Sequence, residues 1–132
     1  MIIIRKAKVA DLSAILKLVN FYSSKGKLLR RNKREVKKNI GSFFVAVKNG
    51  VIVGCASLDI YSRKMAEIRS LAVKSSEMHS GVGTGLAKAC IAKAKKKKIL
   101  EVMVISSEEK FFKNMGFSYT LPGERKALFF NP

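Results

Sequence analysis

The chain contains no run approaching the roughly 20 apolar residues that a membrane-spanning helix needs, and its stretch Met1 to Ile4 is too short for a signal-peptide core. A cytoplasmic protein is therefore expected. Only two cysteines are present, Cys55 and Cys90, both in apolar segments and without metal-ligand spacing. This predicts buried free thiols, with neither a disulfide nor a metal site. Acidic residues are scarce, nine Asp plus Glu against 27 Lys plus Arg, leaving a net charge of +18. Such a surplus concentrates anions around the chain, whether nucleic acid, anionic lipid, or small phosphates and carboxylates. There is no internal repeat, and the only low-complexity stretch is Lys95 to Lys98, where cations complement the dipole at a helix C-terminus.

With 132 residues, 48% of them hydrophobic, the sequence fits one globular domain over 1–132. A β-rich start, "MIIIRKAK", precedes a helical pattern in which Leu12, Ile15, Leu16, Val19 and Tyr22 share a face. Asp11 is placed to cap that helix and Gly26 to stop it. Asn32, with Glu35 three residues on, predicts a capped, short and very basic helix ending at Gly41. Apolar alternation around Lys48-Asn49-Gly50 is a strong hairpin signal, and a second hairpin turns near Ser62 to Lys64. In its return strand, "MAEIRSLAV", strict alternation would put Glu67, Arg69, Leu71 and Val73 on one face, with Ile68, Ser70 and Ala72 on the other. A helix from about Thr84 to Lys96, a β run "ILEVMVIS", a short helix around "EEKFFKNMG" and two terminal β runs complete the order.

Between the second hairpin and the longer helix lies "HSGVGTGLAKAC", with Gly81, Gly83 and Gly85 on alternate residues. A glycine-rich turn entering a helix lets unpaired amides converge on a phosphate without interference from Cβ atoms. Spacing excludes two well-known phosphate loops. No Gly-Lys-Ser/Thr follows, as a nucleoside-triphosphate loop needs, and the glycines are not in the G-x-G-x-x-G order of a dinucleotide-binding unit. A different phosphate-bearing ligand is implied.

The order strand, helix, helix, three antiparallel strands, glycine turn, helix, strand and helix with "NMGF" resembles the GNAT acetyltransferase family. Its cofactor loop, Q/R-x-x-G-x-G/A, is matched by Ser80-Gly81-Val82-Gly83-Thr84-Gly85 in all but the first position. The segments "GKLLRRNKREVKKNI", "AEIRSLAV", "KFFKNMGF" and "LPGERKALF" are similar, in order, to the acetyltransferase domain of N-acetylglutamate synthases. The resemblance implies an α+β fold layered α/β/α, with a central mixed, mostly antiparallel sheet and flanking helices. It also implies acetyl-CoA as co-substrate without a metal. Residues 80–85 would hold its pyrophosphate, and Leu71, Ala72, Val73 and Ser107 would lie along the rest of the cofactor.

Acetyl transfer from a thioester needs a neutral amine, a polarised carbonyl and a stabilised thiolate. The resemblance assigns the general base to Glu67 and the carbonyl-polarising amide to Leu71, at a strand bulge. At the position where many members carry a thiolate-protonating Tyr this chain has Phe112, leaving Tyr119 and Ser107 as weak substitutes. Arg30 and Arg31 match paired arginines of the synthase segment, and a guanidinium suits bidentate binding of a carboxylate. Arg69 is the candidate for a second carboxylate. His79 and Lys88 flank the loop without an assigned duty.

The activity expected is N-acetylation of a small acidic amino acid, L-glutamate first among them, as the opening step of arginine biosynthesis. A different amine acceptor, such as a protein N-terminus or lysine, is the alternative within the family. Outside it stands a basic nucleic-acid-binding module built on residues 30–38 and 95–98, although these runs lack interleaved aromatics for base stacking. The partners expected are a small-molecule substrate and at most a second copy of the chain as a homodimer; nucleic acid would bind only non-specifically, and no membrane is involved.

Overall fold

The computed structural model describes residues 1–28, 30–118, 130 and 132. The two expected terminal β runs, Tyr119 and the whole "LPGERKALF" segment lie outside the described residues. Within them, five strands form one sheet in the order β1-β2-β3-β4-β5: β1 (Ile2–Lys6), β2 (Phe43–Lys48), β3 (Val51–Ile60), β4 (Met65–Val73) and β5 (Glu101–Val104). The first three pairings are antiparallel and β4 runs parallel to β5. The expected α+β architecture, a mixed and mostly antiparallel sheet between helices, is what the chain adopts.

On one face α1 (Leu12–Ser24) and α2 (Lys33–Lys38) bury Leu12, Ile15, Val19 and Val36 against Phe43, Val45, Cys55 and Ala72. On the other, α3 (Val82–Lys96) sets Val82, Leu86, Cys90 and Ala94 on Phe44, Ala46, Ala56, Leu58 and Ile68. The last helix among the described residues, α4 (Glu109–Asn114), follows β5. The stripe expected for α1 is the one it buries, and β4 reads buried at every second residue.

Turn chemistry fixes the connections. Asn49 (φ 51°) and Gly50 (φ 76°) both occupy the left-handed region that a two-residue hairpin demands. Asn32 caps α2 as expected, its Oδ1 accepting from the Glu35 amide at 2.8 Å. Two details differ. The Asp11 side chain does not cap α1; it accepts from Lys8 N, at the head of the preceding 3-10 turn, at 2.7 Å and from Arg5 NH1 and NH2 at 2.7 and 3.0 Å. A charged, bidentate partner outcompetes the helix amides, so Asp11 ties β1 to the start of α1. Helix α2 ends at Lys38, before Gly41, because a 3-10 turn (Ile40–Ser42) takes over.

The strict alternation expected along β4 fails at one point. Register passes from Cys55↔Ala72 to Ser57↔Arg69, so β4 carries one residue more than β3 there, and Ser70 has φ 55°. This is a β-bulge. Before it, Ile68 belongs to the α3 side; after it, Leu71 and Val73 pack on that side, while Ala72 joins the α1 side. Arg69 and Ser70 therefore lie consecutively on the α1/α2 face, and Glu67 and Arg69 do not share a face with Leu71 and Val73.

Candidate active site

Strand β4 pairs with β5 only from Met65↔Glu101 to Ile68↔Val104. From Arg69 to Val73 no described strand pairs with it on that side, although β3 continues to pair on the other. Sheet edges left open in this way offer backbone donors and acceptors to an extended ligand. The bulge, with Leu71 directly after Ser70, sits at the mouth of this opening.

At the far end of the opening stands the α3 N-terminus. Gly81 is its N-cap, with φ 89° and nothing within 4 Å of a built Cβ, so its lack of a side chain answers a backbone requirement. The amides of Val82, Gly83 and Thr84 head a helix of 15 residues and lack intrahelical partners, as first-turn amides do. A Cβ on Gly83 would stand 3.6 Å from Phe111 and 3.7 Å from Val73 Cγ2, so this turn lies between the end of β4 and α4. Gly85 packs closely on β1, where a Cβ would meet Ile4 Cδ1 at 3.3 Å, and its amide donates to the Gly81 carbonyl at 3.0 Å. The three glycines thus have three different causes. Val82 is buried, leaving only its backbone to a ligand, and the Ser80 hydroxyl donates to the Glu77 carbonyl. Glu77 is itself gripped by Lys48 Nζ at 3.0 and 3.2 Å, which pins the turn before α3 to the β2–β3 hairpin. Ser107 is exposed in the β5–α4 connection, and His79 (φ 65°) and Lys88 are exposed beside the loop.

On the α1/α2 face, beyond the bulge, a cavity of about 250 Å³ is lined by Arg31, Glu35, Asn39, Asp59, Tyr61 and Arg69 among others. Asp59 lies opposite Glu67 across β3 and β4. The Tyr61 hydroxyl donates to Glu67 Oε1, and burial, with Glu67 next to it, pushes that phenol up to about 12. Arg69 NH1 donates to Asp59 Oδ2 at 2.9 Å; burial works against its charge, but Asp59 outweighs this and raises the guanidinium further. Among the described residues, Arg69 Nε and NH2 have no hydrogen-bond partner.

The two arginines expected as a pair part company. Arg30 is exposed, whereas Arg31 is only 3% exposed. Arg31 Nε donates to Glu35 Oε1 at 3.0 Å, NH1 to Ser57 Oγ and Ser70 Oγ at 3.1 Å each, and NH2 lies 2.8 Å from Glu35 Oε1. NH2 is also 3.7 Å from Asp59 Oδ2, and the group lies 5.2 Å from the Phe43 ring centroid. Every nitrogen already has a protein acceptor, so a carboxylate meets Arg31 only in exchange for one of these partners. A guanidinium this buried must be satisfied internally.

Sequence reasoning missed Asp59, Tyr61 and Glu35 as cavity groups, and Tyr22, whose hydroxyl reaches from α1 to the Val73 carbonyl at the end of β4. Only the register of β3 on β4 brings Asp59 and Tyr61 to Glu67, and no local motif encodes it. Phe112 is buried, in edge contact with Phe111 and Phe117, as a core residue. Among the described residues no cluster of three or more His, Cys, Asp or Glu is placed to hold a metal, and no helix is long and apolar enough to cross a membrane.

Comparison with known proteins agrees with this geometry. Residues 10–117 match the model of the acetyltransferase (GNAT) family. An uncharacterised N-acetyltransferase of Chlorobaculum tepidum is 36% identical over 114 residues, covering 86% of this chain and 74% of that protein. An amino-acid acetyltransferase of Pasteurella multocida is 31% identical over 116 residues; the match takes in 86% of this chain but only 26% of that longer protein. Among solved structures, N-acetylglutamate synthase from Neisseria gonorrhoeae, complexed with coenzyme A and N-acetyl-glutamate, superposes with a TM-score of 0.86 at 27% identity, over 95% of this chain and 30% of that one. A Mycobacterium tuberculosis protein in complex with coenzyme A gives the same TM-score, 0.86, at 28% identity over 95% of this chain and 76% of its own.

Proposed function

Because this chain belongs to the GNAT acetyltransferase family, we propose that it acetylates the amine of a small acidic amino acid, L-glutamate first among them, with acetyl-CoA as donor. The relatives include amino-acid acetyltransferases, and arginine biosynthesis is the setting this reading gives the reaction. Acetyl-CoA supplies an activated thioester; the chain supplies position and charge. The α3 amides at 82–84 receive the pyrophosphate, with Ser80, Gly81 and Gly85 shaping the turn, and the open edge of β4 at 71–73 takes the extended arm. Leu71 N–H, at the bulge, donates to the acetyl carbonyl oxygen. Glu67 accepts the ammonium proton, directly or through water, with Tyr61 holding one of its oxygens.

The observation that carries the acidic acceptor is Arg69, a guanidinium in the cavity two residues from Glu67 with donors left over after Asp59. A carboxylate reaches Arg31 only by displacing Glu35. One observation favours a different amine: the cavity's Glu35 and Asp59, with Glu67 nearby, outnumber Arg31 and Arg69, so the local field attracts a cation despite the chain's net charge of +18.

A panel of free amino acids and a lysine-bearing peptide, assayed with acetyl-CoA by thiol release, tests both. L-Glutamate should give the highest kcat/KM, and Glu67→Gln should lower it by about 10²-fold or more, most at low pH. Preference for the lysine peptide would establish the second reading in its place. Absence of thiol release with every amine would refute both.

A further inference from the structure

We propose that Arg31 is a positioning residue that sets the shape of the β4 bulge and so aims the Leu71 amide; this rests on the reading that Leu71 N–H meets the acetyl carbonyl.

A bulge interrupts the strand ladder, leaving local backbone without its regular partners and one residue in a disfavoured conformation. Here Ser70 occupies the left-handed region at φ 55°, where a non-glycine residue persists only when its surroundings hold it. Those surroundings converge on one cation. Arg31 NH1 donates to Ser70 Oγ on β4 and to Ser57 Oγ on β3, each at 3.1 Å. The Ser57 hydroxyl donates onward to the Arg69 carbonyl at 3.1 Å, so both residues preceding Leu71 are restrained from the α1/α2 face. Cys55 Sγ, 3.4 Å from the Ser70 carbonyl, completes the support beneath the bulge.

The guanidinium is in turn fixed from outside the sheet. Glu35, in the first turn of α2, takes Nε and NH2, and Phe43 lies beneath the plane. One planar fork therefore spans α2, β3 and β4, which a lysine ammonium has too few donors and the wrong shape to do. Because Glu35 and Asp59 also line the acceptor cavity, cavity and bulge share this single buried cation. The arrangement gives Arg31 a mechanical duty, acting through Ser57 and Ser70 on an amide it does not touch.

The test compares Arg31→Lys and the double variant Ser57→Ala/Ser70→Ala with the parent protein. Readouts are kcat and KM with L-glutamate and acetyl-CoA, coenzyme A affinity by calorimetry, and the backbone amide resonances of Leu71 and Ala72 in the ligand-free protein. Both variants should lose about tenfold or more in kcat, the scale of a misplaced oxyanion donor. The KM for L-glutamate and the coenzyme A affinity should stay within about twofold, since neither contact is touched. The Leu71 amide resonance should move. The serine variant removes two hydroxyls and no charge, which keeps the test open if Arg31→Lys does not fold. Unchanged kcat and an unmoved Leu71 resonance in the serine variant would overturn the proposal. So would a raised KM at constant kcat for Arg31→Lys, which would make Arg31 a substrate ligand. If the parent transfers acetyl to no amine, the acetyl-transfer reading fails, and the ligand-free resonances alone decide whether Arg31 sets the bulge.

Discussion

Gly54 lies in the middle of β3, paired with Ala46 on one side and Val73 on the other, directly beneath the first turns of α3. A Cβ built on it stands 2.9 Å from Val82 Cγ1, 2.9 Å from Leu86 Cδ1 and 3.3 Å from the Ala72 carbonyl oxygen. Carbon–carbon contacts are comfortable at about 3.5–4.0 Å, so Gly54→Ala must drive α3 outward by roughly 0.5–1 Å. A strand held on both edges cannot retreat. Overpacking on this scale costs about 1–3 kcal/mol, against which the reduced freedom of the unfolded chain returns about 0.4–1 kcal/mol. The net loss should be about 1–2 kcal/mol, a fall in Tm of roughly 3–8 °C for a domain of this size. Because Val82 and Leu86 belong to the helix whose N-terminus is proposed to hold the pyrophosphate, coenzyme A affinity should fall in the same variant. Urea unfolding with a constant m-value measures the first effect and calorimetric titration with coenzyme A the second. An equal or higher Tm would show that α3 has room above Gly54, and the packing argument would be wrong.

Gly81→Ala and Gly83→Ala should separate conformation from binding. The first forces a side chain to φ 89° and should cost about 1–2 kcal/mol of stability; the second meets only ordinary contacts of 3.6 Å or more at a helical position and should keep or slightly raise the Tm while weakening coenzyme A binding. Equal effects of both on stability would reject the distinction. Asp11 is held below its ordinary range by its hydrogen bonds to Arg5, against the pull of burial. Its contribution is therefore present above the unfolded-state value and disappears as pH falls through the folded one. Asp11→Asn should lose about 1–2 kcal/mol at neutral pH, a gap that closes in strong acid; denaturant titrations at pH 7 and pH 3 check it, and a gap independent of pH would refute it. Burial raises the Cys55 and Cys90 thiols to about 12, so neither should react with a thiol reagent at neutral pH until the protein unfolds. Rapid labelling of the native protein would contradict their placement.

Local chemistry made much of the fold legible. Asn49-Gly50, Asn32 with Glu35, and the 3.6-residue stripe of α1 act over a few residues, so the sequence alone determined the hairpin, the α2 cap and the buried face of α1. It also carried the glycine turn at the head of α3 and the family resemblance.

Only the tertiary structure decided what lies around Glu67. The bulge at Ser70 is a mismatch between two strands, invisible in either, and it moves Leu71 to the opposite face from Arg69. Asp59 and Tyr61 reach Glu67 through register, and Gly85 proves to be a contact with β1. Arg30 and Arg31, neighbours of one chemical kind, differ because one points to water and the other into a space formed by α2, β3 and β4. Sequence fixes what a side chain is able to do; which partners satisfy it depends on groups brought together from dozens of residues away, and a buried guanidinium takes the acceptors that packing provides.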